Sequence, residues 1–129
     1  MKKFGLLMLV ACGAVAIWAC GSRDAAARPP YKDIFLEHYK DNAKVAAAGA
    51  EAKCAICHSA KDKKVRNDYG KAVSKNTTKK DFDALKDDKP ALAKKLIEAL
   101  KLAEEEKNAD GKKFGDLLKD GKLPGTPLP

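Results

Sequence analysis

The sequence predicts an all-α domain, and two observations carry that reading. Apolar residues recur at three- and four-residue steps over residues 31–54 and again over 90–107, the spacing of one helix face. No run alternates apolar and polar residues as a half-buried strand would. A chain of 129 residues suits one domain, and no internal repeat divides it.

Residues 1–27 read as a leader rather than as part of the fold. Met1-Lys2-Lys3 is a basic start, and residues 4–19 are mostly apolar and uncharged. Basic start, short apolar run and following small residues make an export signal. The run is short of the roughly 20 apolar residues of a permanent span. Leu9-Val10-Ala11-Cys12 and Ile17-Trp18-Ala19-Cys20 both resemble lipoprotein signal sites, in which the cysteine left after cleavage carries lipid. Ala25-Ala26-Ala27 offers ordinary cleavage instead. The expectation is an exported protein, periplasmic or anchored on the extracytoplasmic face through Cys20 or Cys12, with residues 28–129 as its working domain.

The formal net charge is +8, and about +6 without residues 1–27. The 26 basic residues are interspersed with 18 acidic ones. No groove-reading helix or aromatic platform accompanies them, so nucleic acid is not the expected partner. Such a surface steers toward acidic proteins.

Along the domain, residues 21–30 read as a linker ending in Pro29-Pro30. A helix is expected from residue 31 to about residue 54, with Tyr31, Ile34, Phe35, His38, Asn42, Val45, Ala46 and Gly49 on one face. Residues 61–64 form a polar loop. Arg66-Asn67-Asp68 caps a helix over residues 69–75, and Asn76-Thr77-Thr78 breaks it. Residues 81–85 make one more turn. Pro90 opens the clearest helix, with Asp87 and Asp88 at its favoured end and an apolar stripe of Leu92, Leu96, Ala99, Leu100 and Ala103. Asn108-Ala109-Asp110-Gly111 stops it. Phe114, Leu117 and Leu118 mark a short amphipathic segment, and residues 121–129, with three prolines, read as a loose tail.

Cys54-Ala55-Ile56-Cys57-His58 is the one strong chemical signal. Two thiols separated by two residues can add across neighbouring haem vinyl groups, and the adjoining imidazole can ligate the iron. With 4 Cys and 2 His in the chain, chance gives such a match on the order of once in 500 sequences. A dithiol redox pair wants a strand–helix setting, and no strand is expected here. Zinc wants about four ligands, and a disulfide across so short a loop stabilises little.

The segment resembles the c-type cytochromes, specifically the small single-haem members. The resemblance is sharp over Cys54–His58 and general over residues 31–120. It implies a small helical domain around one covalently bound haem c, with Cys54 and Cys57 holding the porphyrin and His58 as proximal iron ligand. It also implies a C-terminal helix packed across the N-terminal one, roles that residues 90–107 and 31–54 would fill. Arg66-Asn67-Asp68-Tyr69-Gly70-Lys71 looks like a sub-family feature without an assigned role. The function implied is one-electron transfer between redox partners outside the cytoplasm. The alternatives are a small-gas sensor with an open distal site, or an accessory subunit of a respiratory complex. With no acid–base pair visible around the motif, catalysis is not expected.

The second axial ligand departs from the family pattern. Electron-transfer members often use a downstream methionine, but the only methionines here are Met1 and Met8. A thioether ligand raises the potential, so its loss lowers the expected value. His38 is the candidate distal ligand. In an unbroken helix it would lie about 24 Å along the axis from Cys54, so a break near Gly49 would be required. A five-coordinate iron and a lysine ligand are the other readings. Tyr39 and Tyr69 are expected to pack against the porphyrin rather than ligate. Glu106-x-Asn108-x-Asp110-Gly111 resembles a calcium loop, but its twelfth position is Leu117, so it reads as a helix stop.

Overall fold

The structure, a computed structural model, describes residues 28–128, and the segment read as a leader, with Cys12 and Cys20, lies outside them. Among the described residues the fold is all-α, as expected, with six α-helices and no β-strand. The helices are α1 (Pro29–His38), α2 (Ala43–Ala52), α3 (Asp68–Asn76), α4 (Lys79–Leu85), α5 (Lys89–Glu104) and α6 (Phe114–Lys119). No described helix is long and apolar enough to cross a membrane.

Helix α1 starts two residues before the expected point. Pro29 and Pro30 form its first turn, where a missing N–H costs nothing and the fixed φ suits the helix. The helix expected to run unbroken to residue 54 instead stops at His38. Tyr39 is its C-cap, and Asn42 opens the next helix. The Asn42 Oδ1 accepts from the Val45 N–H at 3.2 Å, which caps α2, and its Nδ2 donates to the Leu118 carbonyl at 2.8 Å. One side chain thus starts α2 and ties it to α6.

Helix α2 ends as abruptly. Lys53 takes φ 53° and ψ −118°, which turns the chain out of the helix and into a 3₁₀ turn over Lys53–Ile56. A side chain in that region costs of order 1–3 kcal/mol, and glycine adopts it freely. Lys53→Gly is therefore expected to raise stability by about 1 kcal/mol, read as a higher denaturant midpoint at unchanged slope.

The remaining caps follow the sequence closely. Asn67 caps α3 by accepting from the Gly70 N–H at 2.8 Å. Thr78 and Asp81 make a reciprocal capping box on α4, and Asp88 caps α5 through the Ala91 N–H at 3.1 Å. Helix α5 ends at Glu104, three residues short of the expected boundary. In the loop that follows, Asn108 Oδ1 accepts from the Asp110 and Lys112 N–H groups. The calcium-like segment is therefore a turn held by its own asparagine.

Helix α5 packs across α1 and α3, and α6 closes the far side. Its stripe of Leu96, Ala99, Leu100 and Ala103 is buried with Phe35, Val45, Ile56, Tyr69, Ala72, Val73, Phe114 and Leu118. Phe35, Tyr69 and Phe114 meet edge to face through the middle, with centroids 6.3 and 5.3 Å apart.

The tail is not loose over its described part. Pro124 is fully buried, and the Gly125 Cα lies so close to Asn67 that a side chain there would strike it. Asp68 then accepts from the Thr126 N–H at 2.7 Å and from its hydroxyl at 2.5 Å. Composition suggested disorder, and tertiary contact overrides it. Asp68→Ala should cost about 1 kcal/mol and make residues 121–129 the first site of limited proteolysis.

Candidate functional site

The motif sits on the 3₁₀ turn between α2 and the loop that leads into α3. The Cys57 and His58 N–H groups both point at the Cys54 carbonyl, at 3.3 and 3.1 Å. This winds the chain so that both thiols and the imidazole line one cavity. The cavity holds about 70 Å³ of free space and opens toward solvent at its mouth. Phe35, Ile56, Val73, Leu96 and Leu100 give it an apolar wall.

Three side chains of the motif are therefore brought together as the sequence suggests. Neither thiol forms a disulfide. Burial pushes the Cys57 thiol up to about 12, against a weaker pull from Arg66. A thiol so placed stays protonated near neutrality. Among the described residues no group of three or more His, Cys, Asp or Glu side chains converges to hold a bare metal ion. The His58 imidazole has its affinity for a proton lowered, first by burial and then by the Arg66 charge. Its Nδ1 is buried and has no hydrogen-bond partner. A buried polar atom of that kind is costly, and it stands on a neutral imidazole beside the two thiols.

His38 does not join them. It lies at the C-terminal end of α1, half-buried, with its ring 4.6 Å from that of Tyr39 and with Glu104 and Lys101 as its charged neighbours. It is not among the residues lining the cavity, so this arrangement gives the distal role of His38 no support. The break in the long helix falls at residues 39–42 rather than near Gly49, and it does not fold His38 back over the motif.

Tyr39 donates to Glu104 at 2.6 Å, and Tyr69 is buried in the core with its hydroxyl beside that of Tyr39. Neither lines the cavity. Tyr31 does, with its hydroxyl 2.9 Å from the Thr77 hydroxyl, which also lines it.

Two further features are not apparent from the motif. Arg28, Lys32, Lys53 and Arg66 all line the cavity, and no carboxylate does. Arg28 lies against the rings of Tyr31 and Phe82 at 5.4 and 5.2 Å, and burial first, then the Arg28 charge, disfavours the charge of nearby Arg66. Neither arginine has an ion-pair partner among the described residues. The second feature is Asn67, 1% exposed. Its Nδ2 donates to the Ile56 carbonyl at 3.0 Å and to that of Ala55 at 3.3 Å, while its backbone N–H donates to Cys57 at 3.0 Å. The same residue that caps α3 thus fixes the curvature of the motif. Within the segment over residues 66–71 that had no assigned role, Asn67 clamps the Cys54–His58 turn.

No family model, curated protein or solved structure matches this chain.

Proposed function

We propose that this chain is a single-haem c-type cytochrome that passes electrons one at a time between proteins outside the cytoplasm. The observation that carries the reading is the shared wall of Cys54, Cys57 and His58 on one cationic, apolar-backed cavity, with the imidazole half-buried beside the two thiols. Cys54 and Cys57 would hold haem through two thioethers, and His58 would ligate its iron. Bound haem supplies a one-electron couple whose potential depends on axial ligand, charge and burial.

The chain's own residues account for the rest. Phe35, Val73, Leu96 and Leu100 exclude water from one side of the cavity. Arg28 and Arg66 supply positive charge without competing carboxylates, which suits the two propionates of haem. The clamp of Asn67 keeps the 3₁₀ turn wound, so that both sulfurs face the same way. The lysine-rich surface would meet an acidic partner transiently. Residues 1–27 provide the export signal that such attachment requires, with a lipid on Cys20 or Cys12 as one means of anchoring.

The test is expression of the full chain alongside a cytochrome maturation system. The expected product is coloured and heavier than the peptide by one haem, and the haem resists extraction by acid acetone. Cys54→Ser and Cys57→Ser should each leave one thioether, and the double variant none. A colourless product at the mass of the peptide would refute the reading.

A further inference from the structure

We propose that the haem iron held by His58 keeps an exchangeable sixth position, and that the cavity admits a small anion to it. The inference rests on the reading above and goes beyond it, because an electron carrier needs no exogenous ligand.

The donor inventory of the cavity is the first argument. Its sixteen lining residues include one imidazole, that of His58, and no methionine. The only other histidine in the chain, His38, faces Glu104 and Lys101 from the end of α1. Residues 28–128 contain no methionine at all. The nitrogen donors left are Lys32 and Lys53, and an amine must lose its proton before it can ligate a metal. Lys32 is paired with Asp33 at 3.1 Å. Lys53 is exposed to water.

Charge is the second argument. Four cations and no carboxylate line the cavity. If Arg28 and Arg66 are met by the propionates and Lys32 by Asp33, Lys53 stays as positive charge at the edge of the same space. Tyr31 and Thr77 add a pair of hydroxyls to the lining. A cavity with this balance favours azide, cyanide or a similar small anion over a cation, and over a neutral ligand of equal size.

The experiment uses the full chain after haem attachment has been confirmed by mass, so that failure of attachment is scored against the earlier proposal alone. The oxidised protein is expected to be high-spin by visible and EPR spectra. Millimolar azide should convert it to a low-spin form along a saturable curve. His38→Ala should change neither result. Lys53→Gln should weaken azide binding about two- to fivefold, while carbon monoxide binding to the reduced protein stays as it was. A haem-loaded protein that is low-spin without addition and silent to azide would overturn the proposal. So would a low-spin form that turns high-spin on replacing Lys32 or Lys53, since the lysine would then be the ligand. Equal loss of azide and carbon monoxide affinity in Lys53→Gln, or no loss of either, would overturn the assignment to anions.

Discussion

Replacing Gly70 by alanine is expected to remove most of the stability of the domain, by more than about 4 kcal/mol. A Cβ at that position would overlap the Cys57 carbonyl oxygen and lie 2.9 Å from the Cys57 carbonyl carbon. Both sides of the clash are backbone. On one side is the first turn of α3, which is packed on α5. On the other is the Cys57 carbonyl, which already accepts from the Asn67 N–H at 3.0 Å. Neither can retreat without breaking the clamp on the motif. Overpacking usually costs 1–3 kcal/mol where side chains can yield, and here none can. Domains of this size hold only about 5–15 kcal/mol in total. Gly49→Ala is the control. Its Cβ would meet the end of the Leu36 side chain at 2.9 Å, a flexible atom, and alanine favours a helix interior. That variant should lie within about 1 kcal/mol of the parent. Denaturant midpoints of the two variants decide the matter, and a Gly70→Ala protein as stable as Gly49→Ala would show that the approach of α3 to Cys57 is not tight.

The contrast between these two glycines shows what the sequence could reveal. Helix α5 was legible because its apolar stripe, its opening proline and its capping aspartate all lie within one segment. The division of the first long helix was not. Asn42 falls on the apolar face by spacing, but it is there to bond the Leu118 carbonyl, 76 residues away. No local pattern encodes such a partner. The tail misled for the same reason: Pro124 and Gly125 read as a flexible composition until the surface they cover is known. Cys54, Cys57 and His58 stand out in the sequence because haem attachment, the chemistry proposed for them, needs those side chains at that spacing. The arginines and Asn67 were not, since Arg66 and Arg28 are far apart in sequence and Asn67 bonds to carbonyls that any residue could supply. His38 had the right face of the right helix, and only the tertiary course of α1 turns it toward Glu104.

Asn67 offers the sharper experiment, because one substitution keeps half of its bonds. Asn67→Ala removes the cap on α3, worth about 0.5–2 kcal/mol. It also leaves the buried Ile56 and Ala55 carbonyls without their donor, at about 1–3 kcal/mol for an unsatisfied group. A net loss of about 3 kcal/mol is expected, since the two carbonyls share one NH₂ and the Ala55 bond is long. Asn67→Asp keeps an oxygen for the Gly70 N–H, so a pure capping role would leave it nearly neutral. The clamp predicts otherwise. The new carboxylate would point an oxygen at two carbonyl oxygens inside the core, with Gly125 close behind and no room to turn away. Burying that charge unpaired is worse than losing the bonds, so Asn67→Asp should be at least as destabilising as Asn67→Ala. The difference should shrink on acidification, as the carboxyl protonates and regains a donor. The reason is one of sign: a carboxylate disfavoured in the folded state has its pKa raised there, so its penalty is relieved as pH falls through that raised value. Equilibrium unfolding of the three proteins across pH measures this directly. An Asn67→Asp variant as stable as the parent at neutral pH would reduce Asn67 to a helix cap and leave the winding of the Cys54–His58 turn to the cysteine backbone alone.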